Sequence, residues 1–94
     1  MAQFLVRHKV KDFAKWKAIF DEHGKKRKAG GSKGGRLFHN AKDPNEVVIL
    51  FEWEDLGKAR QFAGSEDLRQ AMVRAGVEGK PDLYFLEEVE KFPV

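Results

Sequence analysis

Cysteine is missing from the 94-residue sequence, so disulfide staples, thiolate metal sites and cysteine nucleophiles are excluded and stability must come from packing. Long apolar runs are missing too. No stretch approaches the roughly 20 apolar residues that a membrane-spanning helix needs. The N-terminal Met1-Ala2-Gln3-Phe4 has neither the basic start nor the apolar stretch of a signal peptide, and a cytoplasmic location is expected. Histidine is scarce, and no two of the three stand at i, i+3 or i+4, so a zinc site built from protein ligands is not expected. Neither a Walker loop nor a strand-linked GxGxxG occurs. The glycine pairs before Arg36 match a phosphate cradle in composition only.

What is present is a chain 41% hydrophobic and 35% charged, the composition of one globular domain spanning residues 1–94. A chain this short buries roughly 60 to 65% of its unfolded surface, which is thin for a monomer and favours a second subunit. The net charge of +3 conceals an asymmetry, because six basic residues and no acid lie between Lys25 and Arg36. A block such as Lys25-Lys26-Arg27-Lys28 could neutralise phosphates. No aromatic residue is interleaved with it to stack on bases, so nucleic-acid binding is not expected, and a basic helix end leading into a solvated loop accounts for it.

Ala2 to Val10 alternates Phe4, Val6, His8 and Val10 with Leu5, Arg7 and Lys9, the period of a strand. Asp12 can cap a helix in which Phe13, Trp16, Phe20 and His23 recur on one stripe. That helix ends at Gly24 or runs through the basic block to Gly30. The stretch Gly30-Gly31-Ser32-Lys33-Gly34-Gly35 reads as a loop and a candidate mobile flap. Arg36–Lys42 and Val47–Trp53 then flank Asp43-Pro44-Asn45-Glu46, whose proline suits the second position of a type I turn. With Lys42 opposite Val47, this hairpin sets Phe38 against Phe51, Asn40 against Ile49, His39 against Leu50 and Leu37 against Glu52. Asp55 precedes a short helix with Ala59 and Phe62 inward. Ser65 can cap another with Leu68, Ala71, Met72 and Ala75 on one face, and Gly76, Gly79 and Pro81 stop it. Asp82 to Val89 alternates as a last strand.

The order is strand, helix, hairpin, helix, strand: an α+β, ferredoxin-like βαββαβ antiparallel sheet with helices on one face. The face carrying Phe4, Val6, Phe38, Ile49, Phe51, Trp53, Leu83 and Phe85 is assigned to the helices. The other face still offers Leu5, Leu37, Val48, Leu50 and Leu86, too much apolar surface to leave wet. It is expected to pack on the same face of a second copy, with Arg7, His39, Glu52 and Glu88 at or beside the two-fold axis.

This arrangement, the strand end Phe51-Glu52-Trp53 followed by an acidic cap, and the Ala59–Ser65 segment resemble the dimeric α/β-barrel superfamily. Within it the chain is most similar to the antibiotic biosynthesis monooxygenase-like proteins. That group includes cofactor-independent quinone-forming oxygenases and haem-degrading enzymes. The resemblance implies a ligand between sheet and helices. It places Trp53 where the haem-degrading branch has its tryptophan. His8 stands at that branch's asparagine position and Met72 at its histidine position. Phe62 replaces a histidine that other members carry after the third strand. With no histidine at Met72 an iron would lack its protein ligand, so no haem or other cofactor is expected.

The candidate catalytic residues are therefore His8, an imidazole able to act as a base or to hydrogen-bond a phenolic substrate, and Trp53, able to stack on a flat ligand and donate from its indole nitrogen. Trp16, His23, Asn40, Phe51 and Tyr84 are the candidate ligand-binding residues. The structural alternatives are a core histidine, a core tryptophan, and an asparagine at a wet strand end. The implied function is a cofactor-independent monooxygenase acting on a small aromatic or polyketide-like molecule. The alternative is a non-catalytic, ligand-binding or stress-related homodimer of the same fold.

Overall fold

The computed structural model describes residues 2–94. The elements run β1 (Ala2–Val10), α1 (Phe13–Glu22), α2 (Gly24–Gly30), β2 (Ser32–Asn40), β3 (Asp43–Trp53), α3 (Leu56–Ala63), α4 (Glu66–Arg74) and β4 (Val77–Leu86). The four strands form one antiparallel sheet in the order β2-β3-β1-β4, the ferredoxin-like topology.

Local chemistry explains the boundaries. Asp12 accepts from the Ala14 and Lys15 amides, Asp55 from Lys58 and Ser65 from Leu68, so α1, α3 and α4 all start at side-chain caps. His23 closes α1, and α2 ends at Gly31, whose φ of 113° suits glycine. The two-residue period of β1 and β3 sends Phe4, Val6, His8 and Val10, with Val47, Ile49, Phe51 and Trp53, into the layer beneath the helices. In this core Phe4 stacks on Phe51 at 4.8 Å and Trp53 meets Phe62 at 4.7 Å.

Three segments depart from the sequence expectation. The glycine-rich stretch is largely strand rather than loop or flap, since β2 begins at Ser32 and Gly35 pairs with Phe51. Gly35 allows this because a Cβ there would sit 2.3 Å from the Leu50 carbonyl oxygen.

The hairpin turns at Ala41-Lys42, not around Pro44. Asn40 Oδ1 accepts from the Lys42 amide at 2.8 Å, an Asx turn that reverses the chain early. The ladder then slips between Asn40↔Asp43 and His39↔Val47, leaving residues 44–46 without partners in β2. Phe38 therefore opposes Val48 instead of Phe51, and Leu37 opposes Ile49 instead of Glu52. An offset of three residues, being odd, exchanges the faces. Leu37 packs against the core, Phe38 stands 49% exposed on the open face, and His39 turns back to meet the Phe13 ring edge-on at 5.3 Å.

The last strand starts at Val77 and stops at Leu86, earlier than expected at both ends. Gly79 and Pro81 do not end a helix. They lie in a bulge of β4, between the pairs Arg7↔Asp82 and Lys9↔Glu78.

The open sheet face carries the half-buried Leu5, Val48, Leu50 and Leu86 together with the exposed Phe38 and Tyr84. Arg7 lies among them, its guanidinium bridging Glu46 at 2.6 Å and Asp82 at 3.1 Å. Beyond β4, residues 87–94 carry the exposed Val89, Phe92 and Val94.

Candidate ligand cavity

A cavity of about 70 Å³ lies between the sheet and the helices. Phe4, Val6, His8, Ile49 and Phe51 form its floor, α1 contributes Trp16 and Phe20 with His23 at its C-terminal cap, and α4 contributes Leu68 and Met72. This placement follows from two periods. Alternate residues of β1 and β3 point up, and every third or fourth residue of α1 points down.

His8 is the unusual member. It is 4% exposed, and among the described residues neither ring nitrogen has a hydrogen-bond partner. Its ring lies 5.6 Å from Trp16, edge-on. On the β4 side the ladder skips it, the strand bulging past over residues 79–81. Burial pushes its pKa down to about 4, because the charged form has lost its water and gained no acceptor. The ring is neutral at neutral pH and offers one donor and one acceptor.

Around it the walls are aromatic. Trp16, 3% exposed, is stacked on Phe20 at 4.9 Å. His23 lies farther along α1, with Nε2 2.9 Å from an Asp67 carboxylate oxygen. That bond holds the Asp67 carboxyl below its ordinary value, and an ionised carboxylate accepts only, so Nε2 carries the proton. Arg27 of α2 also reaches the cavity, its guanidinium 3.8 Å above the Phe20 ring.

Of the residues singled out in the sequence, His8, Trp16, His23 and Phe51 come together here, and three do not. Trp53 is fully buried but does not line the cavity. Its indole Nε1 donates to the Gly30 carbonyl at 2.8 Å, so its polar atom fastens the α2–β2 corner. Asn40 is exposed at the hairpin, where Nδ2 donates to Glu46 and Oδ1 makes the Asx turn. Tyr84 is 55% exposed and pairs with Leu5 on the open face. The register slip explains Asn40, and for Tyr84 the alternation of β4 itself gives the open side.

Sequence reasoning missed Arg27. The signal was available, since Phe13, Trp16, Phe20, His23 and Arg27 continue one 3-4-3-4 spacing, but a run of four basic residues masked it. Gly30-Gly31-Ser32-Lys33-Gly34 also has the GxSxG spacing of a nucleophile elbow. Here the run joins a helix to a strand, the reverse of an elbow, and Ser32 Oγ accepts from the Gly34 amide at 3.2 Å.

Among the described residues no group of three or more His, Asp or Glu side chains could hold a metal ion, and no helix is long and apolar enough to cross a membrane.

No protein-family model and no curated protein matches the sequence. Solved structures do resemble the fold. The cofactor-independent oxygenase SnoaB of Streptomyces nogalater superposes with a TM-score of 0.79 at 14% identity, covering 99% of this chain and 97% of that one. An antibiotic biosynthesis monooxygenase superposes at 0.73 with 17% identity, covering 96% and 100%. A conserved protein of Methanosarcina mazei Go1 reaches 0.73 at 12%, covering 93% and 91%. At such identities the likeness establishes a shared fold over nearly the whole chain.

Proposed function

We propose that this protein binds a small aromatic or polyketide-like molecule between its sheet and its helices and oxygenates it without a cofactor. The observation that carries this reading is His8, a neutral imidazole with two unused ring nitrogens in a cavity walled by aromatic side chains. An unsatisfied buried polar group costs about 1–3 kcal/mol, a cost that a bound hydroxyl would remove. A phenol or enol seated on Trp16 and Phe20 would donate to one nitrogen of His8. As the hydroxyl ionises, the imidazole takes its proton, and the adjacent oxyanion supplies the counter-charge that a buried imidazolium otherwise lacks.

The ionised form of such a substrate is electron-rich enough to react with molecular oxygen directly. One electron passes to oxygen and the two radicals combine at the enolate's CH carbon, the CH₂ of the keto form after enolisation has removed one of its protons, giving a hydroperoxide after the proton held by His8 returns. Loss of water then leaves a carbonyl. One oxygen atom ends in the product and the other in water, so CH₂ and O₂ become C=O and H₂O with no external reductant. The resemblance to SnoaB, named as a cofactor-independent oxygenase, agrees with this chemistry.

A second reading, a non-catalytic ligand-binding or stress-related dimer, is favoured by one feature. His8 has no partner to orient it, whereas catalytic bases commonly lean on a third group. Oxygen-electrode measurements with enolisable aromatic substrates separate the two. Consumption of one O₂ per substrate that falls at least about tenfold in His8→Phe is expected for the oxygenase. Saturable binding with no oxygen uptake supports the second reading instead.

A further inference from the structure

We propose that Arg27 sets the specificity of the cavity, selecting aromatic ligands that carry a carboxylate at the end opposite the hydroxyl held by His8. The inference deepens the reading above and rests on it.

Among the described residues Arg27 is the one permanently charged side chain lining the cavity. Among the described residues no carboxylate lies within ion-pair distance of it. The nearby acid, Asp21, acts on it only through space, because both Asp21 oxygens are taken by Lys17 Nζ at 2.7 Å. Arg27 is half-buried, and among the described residues its side chain makes one hydrogen bond, from Nη1 to the Phe20 carbonyl at 2.6 Å. Burial weighs against its charge and lowers its pKa from the ordinary value, with no acid close enough to compensate.

A guanidinium in that state is short of acceptors. It has five N–H donors in a planar fork suited to a carboxylate, and most are unused. A carboxylate brought in by a ligand would take two of them in parallel and restore the missing counter-charge.

The cavity puts this cation at one end and His8 at the other. Between them the rings form a ladder: Arg27 lies 3.8 Å over Phe20, Phe20 is stacked on Trp16 at 4.9 Å, and Trp16 stands 5.6 Å from His8. A ligand that is flat and apolar in the middle, hydroxylated at one end and anionic at the other matches that sequence of groups, and the side chains of α1 and α4 must part to admit it, because about 70 Å³ is less than the ~150 Å³ that holds a benzene ring. A purely structural Arg27, present only to cap α1 through the Phe20 carbonyl, would give no preference between ligands differing in charge.

The test is titration calorimetry of the full chain with 4-ethylphenol and with 3-(4-hydroxyphenyl)propanoate, which share ring and chain and differ by one carboxylate. Wild-type protein is expected to bind the carboxylate at least about tenfold more tightly, the preference shrinking with added salt. Arg27→Gln should bring the two affinities to within about threefold, and Arg27→Lys should retain part of the preference. Equal affinities in the wild-type protein would overturn the role of Arg27 while leaving an aromatic-binding cavity in place. No binding of either probe would overturn both. The wild-type comparison needs no variant, so it decides the matter even where Arg27→Gln fails to fold.

Discussion

His8 is the residue at which sequence and environment disagree most. Its alternation with Phe4, Val6 and Val10 made its inward direction legible in the sequence, but not its lack of partners, which depends on the largely apolar side chains that the helices place around it. The consequence is a pH dependence of stability. The folded pKa lies at about 4, below the unfolded value near 6.5, so the unfolded chain binds more protons between them. The contribution of His8 is fully present above pH 6.5 and is lost as the pH falls toward 4, by roughly 3 kcal/mol in all. Denaturant titrations across that range should show stability falling steeply in the wild-type protein and less steeply in His8→Phe. Identical acid limbs would mean that His8 is hydrated or paired. Trp53 went the other way. The sequence shows a large aromatic at a strand end, but whether its indole N–H meets a ligand or a backbone carbonyl depends on where the Gly30-Gly31 corner lies. Trp53→Phe should cost about 1–3 kcal/mol in equilibrium unfolding, because it leaves the Gly30 carbonyl without its donor. Calorimetric affinity for phenols should change far less than in His8→Phe.

At the scale of elements, the caps and periods were legible and the turn was not. Asp12, Asp55 and Ser65 each cap the helix expected of them, since capping is decided within four residues. The hairpin was decided by a competition between two local signals. Asp43-Pro44 offered a type I turn, while Asn40 offered an Asx turn three residues earlier. The earlier turn prevailed, with Asp43 Oδ1 accepting from the Asn45 amide to steady the bulge that follows. The outcome moved Phe38 and Leu37 to opposite faces and took Asn40 out of the cavity. Asn40 therefore has a turn-forming role that can be measured. Asn40→Ala removes the bonds to the Lys42 amide and to Glu46, and is expected to lower stability by about 1 kcal/mol, read from the urea midpoint. Ligand affinity in the same variant should stay within about twofold, because the hairpin tip does not line the cavity. A large loss of affinity would place the ligand at the hairpin instead.

At the scale of the whole molecule, the helices cover one face of the sheet and leave the other to find its own cover. The sequence signalled a second apolar face through Leu5, Leu37, Val48, Leu50 and Leu86. The register slip takes Leu37 from that face to the core side and puts Phe38 in its place. Arg7 lies within this patch already paired with two carboxylates, Glu46 and Asp82, so a facing surface need not supply its counter-ion. An apolar patch whose Arg7 is already paired is suited to an isologous contact, in which each residue meets the same patch on a two-fold related copy. We infer that two copies pack through this face, as the expected α/β-barrel pairing requires. Leu50 is the informative position, since it pairs with Leu5 on one side and Arg36 on the other and so lies within the patch. In a dimer, Leu50→Glu would bring an unpaired carboxylate into the buried face of each subunit. It should weaken association by about thirtyfold or more while leaving the fold intact, because the open face is exposed to water in the separated subunit. Sedimentation equilibrium of the wild type and Leu50→Glu at micromolar concentration, with circular dichroism as a check on folding, gives the comparison. A wild-type dimer and a folded mutant monomer are the expected pair. A wild-type monomer would mean that this apolar face stays open to water, and a mutant that remains dimeric would move the contact to another surface.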